Sequence, residues 1–356
     1  MKKSTSIMSA ITLSMLLSSC GGDRTNEPLT VTSGSIKKAI AEFTDQTLIP
    51  DLNNFLQQAE TLDEKGGEFC SDSNSTTLAA VQQQWYATSK AWYRVLPYNF
   101  GPANDDLLDP RYRYIDYFRE RGRDRTGAVR TLFTEFLVAN TAFSDEFTLA
   151  YEVGLMPLEL ALFESNATQS TDSTDILNEY AGNSRKCTLL NGLTEKLIED
   201  AAYLKSGWEE NYLQSGTPFR DIFINNELSD GSEAIDTLLV SVQEFLDYVP
   251  KRDVISAAHP VAGGGWDNVS SSISAISQLL KGTDTTVVSI FSLMEAAGEE
   301  VAVNTVEGTL IQARLHIGQQ DATSFYTDSA TLDGYFKREI PDSLDVSLGI
   351  NFTDGD

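Results

Sequence analysis

The chain has 356 residues, of which 41% are hydrophobic, and a formal net charge of −26. This length is sufficient for one large domain or two ordinary domains with proper hydrophobic cores. A surface this acidic repels phosphate backbones, which argues against nucleic acid as a partner.

The chain begins with a segment that resembles a bacterial lipoprotein signal. Lysines occupy positions 2 and 3, and a mainly apolar run follows over residues 8–17. This run is shorter than the roughly 20 residues that a membrane-spanning helix needs. It ends in LSSC at residues 17–20, which resembles a lipobox, so we predict a signal peptide over residues 1–19 and lipid on Cys20. The alternative is an ordinary signal peptide in which the cysteine occurs by chance.

Lipid on Cys20 makes the bacterial membrane the first expected partner, because more than one acyl chain anchors a protein stably. Gly21, and not aspartate, follows the cysteine, which favours the outer membrane, with the body facing the periplasm or, alternatively, the cell surface. Residues 20–34 are predicted to be a flexible tether. Without residues 1–19 the net charge becomes −28, from 24 basic and 52 acidic residues.

Two further cysteines, Cys70 and Cys187, remain once Cys20 carries lipid. In an oxidising compartment a disulfide is the expected pairing, and two free thiols are the alternative. A loop of more than a hundred residues would be closed, which corresponds to about 4–5 kcal/mol in the chain-entropy model.

Helical periodicity dominates the body of the chain, and strand-like alternation is scarce. One apolar stripe is formed by Leu190, Leu193, Leu197, Ala201, Leu204 and Trp208, and another by Leu78, Val81, Trp85, Thr88 and Trp92. Asn74 or Ser75 is predicted to cap the earlier helix, and Pro97 to end it. Further helices are predicted near residues 35–62, 126–143, 232–249, 268–281, 286–317 and 321–337.

These patterns predict an all-α fold of two helical-bundle domains packed together. A Ser/Thr/Asp-rich loop at residues 165–174 precedes the long second-half helix, so we place the domains at residues 35–180 and 181–356.

Histidine is scarce, which limits the metal chemistry that the chain can support. The only two are His259, in a Gly-rich loop, and His316, on a predicted helix, and neither lies in a strong zinc-site spacing. For both, a structural role is the alternative to a metal role.

An Arg- and Tyr-rich segment over residues 111–125 stands out against the acidic background. It is a candidate surface for an anionic ligand or partner, with internal salt bridges as the alternative. Its arginines are Arg111, Arg113, Arg119, Arg121, Arg123 and Arg125.

The apolar segment from Tyr151 to Phe163 contains one carboxylate within its helical run, Glu159. A buried carboxylate is costly unless it is paired or hydrogen-bonded. Glu159 is therefore either held by donors or used in function, and it is the only catalytic candidate.

Four segments of the chain resemble the imelysin family of peptidase-like, iron-regulated envelope proteins. Two correspond to the family's tryptophan-rich helix with its F-G-P turn and to the segment that carries its G-x-H-x-x-E motif. The others match a long helix that opens the second half and the C-terminal ending. In order, they are residues 85–102, 151–163, 185–208 and 347–356.

The resemblance implies an all-α fold with a cleft between two helical bundles, and a role in iron acquisition or peptidase activity. Gly154 and Glu159 match the motif, but Met156 occupies the histidine position. A thioether is a poor ligand for hard or borderline divalent ions, and no confident metal ligand set can be assembled.

The favoured function is therefore a non-catalytic, membrane-anchored binding protein with a cleft at Gly154, Met156 and Glu159. The resemblance makes iron, haem or another metal ion the candidate cofactor or ligand, and an envelope protein the candidate partner. The alternatives are a metallopeptidase with a rebuilt site, and an envelope scaffold.

Overall fold

The structure is a computed structural model that describes residues 29–106, 108–120 and 122–348. The predicted signal peptide, Cys20, Arg121, residues 349–356 and most of the predicted tether lie outside the described residues. None of the described helices is both long enough and apolar enough to cross a membrane.

The fold is all-α, as predicted. The helices of the first half are α1 (Ser33–Phe43), α2 (Ile49–Ser71), α3 (Ser75–Val95), α4 (Tyr112–Ile115), α5 (Thr126–Val138), α6 (Phe143–Glu146), α7 (Leu155–Phe163) and α8 (Ser173–Gly182). Those of the second half are α9 (Arg185–Glu209), α10 (Phe219–Ile224), α11 (Ala234–Arg252), α12 (Val254–Ala257), α13 (Gly265–Lys281), α14 (Ile290–Ala296), α15 (Glu300–Gln319), α16 (Ala322–Lys337) and α17 (Glu339–Leu344). A small antiparallel hairpin, β1 (Arg119–Glu120) and β2 (Arg123–Asp124), pairs Arg119 with Asp124.

The first bundle forms around α2, which packs along both α3 and α9. Helix α3 begins where predicted, because the Asn74 side-chain oxygen accepts hydrogen bonds from the backbone N–H groups of Thr76 (2.8 Å) and Thr77 (3.1 Å). The predicted stripe on α9 is confirmed, since its members from Leu190 to Trp208 are each no more than 2% exposed. Apolar burial along both helices therefore holds this bundle together.

In the second bundle, α16 packs against both α11 and α15, and α13 packs against α15. The two bundles meet where α13 lies against α3. Helix α9 follows residue 180 in the chain but packs on α2 and α7 of the first half. The domain boundary at 180 stays a prediction, and a boundary there would separate helices that share one core.

Three predicted helices differ in extent from those observed. The helix predicted over 286–317 is two helices, α14 and α15, because Gly298 adopts a positive φ of 86° between them. The helix predicted over 126–143 ends at Val138. The helix predicted over 35–62 runs from Ser33 to Ser71 through a π-helical turn at Thr44–Leu48.

The predicted disulfide between Cys70 and Cys187 is confirmed, with the two Cα atoms 5.6 Å apart. It joins the last turn of α2 to the first turn of α9. The covalent link therefore lies inside the first bundle and fixes the ends of two helices that already pack along each other.

Candidate functional site

The motif segment forms the helix α7, which starts after Gly154 and is buried from Leu155 to Leu162. Gly154 has a φ of 84°, and a Cβ atom there would lie 2.4 Å from the carbonyl oxygen of Ile115 and 2.5 Å from that of Tyr114. Only glycine fits, because both the backbone conformation and the space exclude a side chain. This close approach places α4 directly against the motif.

Met156, at the position where the resemblance has a histidine, is 0% exposed and belongs to the main hydrophobic core. An unbranched thioether is well suited to filling such apolar space. Met156 therefore acts as a packing residue, and the predicted cleft at Gly154, Met156 and Glu159 is closed at these three positions.

Glu159 is also 0% exposed, and its carboxyl group binds a loop from the second half of the chain. The Oε1 atom accepts hydrogen bonds from the backbone N–H groups of Val261 (2.8 Å) and Ala262 (2.6 Å). The Tyr86 hydroxyl, on α3, donates to the carbonyl oxygen of Ala262 (2.7 Å). Together these bonds hold the loop before α13 against α7 and α3.

Burial determines the charge state of Glu159. It raises the pKa of this carboxyl to about 8, against the lowering effect of the N–H groups of Ala262 and Val261. The carboxyl is therefore largely protonated at neutral pH. In this protonated form it is a weak base and a weak ligand for cations.

His259 lies beside this loop, is 2% exposed, and packs edge-on against Trp85 with 4.8 Å between ring centroids. Its Nε2 atom is 3.1 Å from the Ser89 hydroxyl, which donates to Asn268 Oδ1 (3.1 Å). Because the Ser89 hydroxyl donates its hydrogen to Asn268, its oxygen must accept the hydrogen bond from His259. We therefore assign the imidazole hydrogen to Nε2. Burial lowers the pKa of His259 to about 3, so the ring is neutral.

Asp116 is the third titratable group of this buried centre, and the sequence analysis did not identify it. It is 4% exposed, and burial raises its pKa to about 7. The Tyr93 hydroxyl is close enough to lower this pKa but lies outside normal hydrogen-bond geometry. In the sequence, the only signal for Asp116 is its position within the Tyr- and Arg-rich segment.

The donor atoms of this centre do not fit a resident iron or zinc ion. Nowhere in residues 29–106, 108–120 and 122–348 are three or more His, Cys, Asp or Glu side chains placed to share a metal ion. Glu159 Oε1 and His259 Nε2 already bind protein groups, and burial favours the neutral form of the acids. The hydrogen bonds of this centre join the two bundles, whereas Glu159 Oε2 and His259 Nδ1 are buried without a hydrogen-bond partner among the described residues.

The other predicted candidates lie outside this centre. His316 Nδ1 is 2.6 Å from Asp328 Oδ2, between α15 and α16. In the Arg-rich segment, Arg111 forms an ion pair with the buried Asp200 (2.8 Å) and stacks on Tyr203 at 4.4 Å. Arg125 stacks on Tyr151 at 4.9 Å. The bonds of Arg111 agree with the internal salt-bridge alternative for this segment.

Similar proteins were found among family models and solved structures, whereas no curated protein sequence matches significantly. An imelysin-like protein from Psychrobacter arcticum 273-4 has a TM-score of 0.68 at 17% identity, over 90% of this chain and 100% of that one. A proposed iron-regulated protein A precursor from Parabacteroides distasonis ATCC 8503 has a TM-score of 0.62 at 14% identity, over 89% and 96%. At these identities the structures establish a shared fold.

The imelysin family model matches residues 48–325, which is most of the chain and includes α7, the loop before α13 and helices of both bundles. The matched region therefore contains the motif segment together with the partners that enclose it. The chain belongs to the imelysin family.

Proposed function

We propose that this protein is a membrane-anchored, non-catalytic binding protein of the bacterial envelope, with a role in an iron-regulated process. The observation that carries the non-catalytic part is the state of Glu159. Its Oε1 atom is bound by two backbone N–H groups and its side chain is 0% exposed. A general base must reach a substrate or a water molecule, and this carboxyl group reaches neither solvent nor a ligand set.

The iron-regulated role and the anchor rest on two further observations. One protein of the same fold is named as a proposed iron-regulated protein A precursor. The lipobox-like LSSC at residues 17–20 supports lipid on Cys20 and a location in the outer membrane facing the periplasm.

A peptidase assay on the full mature chain tests the non-catalytic part. We expect unfolded protein substrates to be cleaved no faster by the natural chain than by the Glu159→Gln variant, with or without a chelator. Chelator-sensitive cleavage that disappears in Glu159→Gln would instead support the metallopeptidase alternative.

A metal-binding measurement tests whether the motif has kept an ion site. Equilibrium dialysis against ferric iron, ferrous iron, zinc, copper and haem is expected to give no uptake that depends on Glu159 or His259. Stoichiometric uptake that is lost in both Glu159→Gln and His259→Gln would overturn the structural interpretation of this centre.

Mass spectrometry of the protein purified from bacterial membranes tests the anchor. The expected N-terminal peptide begins at a diacylated Cys20, and Cys20→Ser is expected to release the body into the soluble envelope fraction. An unmodified or uncleaved N-terminus would refute the anchored form of the proposal.

A further inference from the structure

A surface pocket at the end of α9 lies apart from the buried centre, and one predicted candidate, Arg111, stacks on its Tyr203 ring at 4.4 Å. It has a volume of about 290 Å³. Two aromatic rings, an exposed leucine and several uncharged polar groups form its lining. The residues involved are Tyr203, Ser206, Asn211, Tyr212, Leu213 and Gln214.

The two α9 hydroxyl groups in this pocket both donate hydrogen bonds to carboxylates. Tyr203 donates to Asp105 Oδ2 (2.5 Å), and Ser206 donates to Glu210 Oε2 (2.9 Å). A hydroxyl oxygen that has already donated its hydrogen can only accept further hydrogen bonds. The two side chains therefore present acceptors to a ligand, which selects for a ligand that carries donors.

Among the described residues, the two carboxylates that bind the pocket's hydroxyl groups lack an ion-pair partner, while Arg111 stacks on the Tyr203 ring at 4.4 Å. Within the described parts of the chain, neither Asp105 nor Glu210 forms an ion pair with a lysine or arginine. By contrast, nearby Asp200 is neutralised by Arg111 and Lys196. The two uncompensated carboxylates favour a cation.

The end of α9 adds to this preference. The pocket lies at the C-terminal pole of this 25-residue helix, where the aligned peptide dipoles give partial negative charge. The last turn of α9 contains no basic residue that would compensate this partial negative charge. A ligand cation would take the place that Lys or Arg commonly occupies at helix ends.

The lining distinguishes between kinds of cation. Tyr212 packs against Phe219 with 4.9 Å between ring centroids, and Leu213 is 63% exposed, so the walls offer apolar surface. Hydrated metal ions gain nothing from such walls and need several oxygen ligands in a defined geometry. An alkyl chain that ends in an ammonium group uses both the apolar walls and the acceptors.

We propose that this pocket binds a primary alkylammonium group, donated by either a free polyamine or a lysine side chain of a peptide. The inference goes beyond the proposed function, because it assigns a ligand class to a site outside the motif segment. It stands or falls independently of whether Glu159 is catalytic.

Isothermal titration of the full mature chain tests the proposal with four probes. These are 1,5-diaminopentane, its neutral analogue 1,5-pentanediol, and acetylated, amidated Gly-Lys-Gly and Gly-Gln-Gly peptides. We expect one site per chain for at least one ammonium probe, and binding of its neutral partner weaker by about tenfold or more. The tighter of the two ammonium probes identifies the source.

Variants separate the pocket from general attraction to an acidic protein. Asp105→Asn is expected to weaken ammonium binding by about tenfold, and Tyr203→Phe by a smaller factor. Tyr326→Phe is the matched control, because the Tyr326 hydroxyl donates to Asp253 (2.8 Å) in the second bundle. Circular dichroism and thermal unfolding of each variant verify that it is folded.

The proposal is overturned if no ammonium probe binds, or if the neutral probes bind equally well. It is also overturned if folded Asp105→Asn and Tyr326→Phe both bind the ammonium probe as the natural chain does. In that last case the attraction is a property of the whole acidic surface.

Discussion

The polar groups of the buried centre and those of the α9 pocket differ in their exposure to solvent. At the centre, Glu159 and His259 are 0% and 2% exposed and bind protein groups that belong to both bundles. At the pocket, Tyr203 and Ser206 are held by carboxylates on one side and remain accessible on the other. The comparison teaches that the polar groups of the motif are used within the protein core, whereas those of the pocket remain open to solvent.

The largest loss of stability is expected from a glycine substitution at the start of the motif helix. Gly154→Ala should lower the free energy of unfolding by about 3 kcal/mol or more, because it combines backbone strain with a collision against a backbone carbonyl. Urea denaturation followed by circular dichroism measures this loss.

Gly216→Ala is the matched control, in the loop beside the α9 pocket. Gly216 also has a positive φ, 79°, but a Cβ atom there would meet nothing within 4 Å. Its expected loss is about 1 kcal/mol, from backbone strain alone. Equal losses at the two positions would contradict the close packing of α4 against the motif.

Two serine substitutions are expected to have the next largest effects. Ser89→Ala should cost about 1–3 kcal/mol, because it leaves His259 and Asn268 without their shared partner in the core. Ser206→Ala, at the half-buried pocket, should change the stability by about 0.5 kcal/mol or less. The same denaturation experiment measures both, and the reverse order would break the contrast between the two regions.

A separate test concerns the pH dependence of stability, in the variant Glu159→Gln. Because the pKa of Glu159 rises from 4.5 to about 8 on folding, the folded state keeps a proton that the unfolded state has lost. The natural chain should therefore lose up to about 1.4 kcal/mol per pH unit from this group as pH rises from 4.5 to 8.

The clearest interval is above pH 6.5, since His259, whose pKa falls to about 3, makes stability rise with pH between 3 and 6.5. Glu159→Gln should reduce the decline between pH 6.5 and 8. The exposed Glu295→Gln should leave it unchanged. An unaltered decline in Glu159→Gln would show that this carboxyl is not protonated in the folded protein.

Local signals in the sequence predicted much of the fold. The stripe on α9 and the Asn74 cap of α3 depend on residues a few positions apart, so periodicity and capping chemistry identified them. The disulfide followed from counting cysteines in an oxidising compartment. The break between α14 and α15 was missed, although Gly298 was a signal for it.

The site was less predictable, because its contacts join distant parts of the chain. Glu159 was identified as a carboxylate that needs donors, but its donors Val261 and Ala262 lie about a hundred residues later. The closed state of the motif could not be read from its own residues. Likewise, the pocket depends on Asp105 meeting Tyr203, which are 98 residues apart.

The disulfide has a consequence for the modularity of this chain. Cys70 and Cys187 are 117 residues apart, and α2 needs the apolar face of α9 to cover its own. The N-terminal half therefore cannot be separated at residue 180 and exchanged as an independent domain. Such a cut would remove α9 and expose the apolar face of α2. Evolutionary shuffling of the two bundles would have to move α9 together with the half that precedes it.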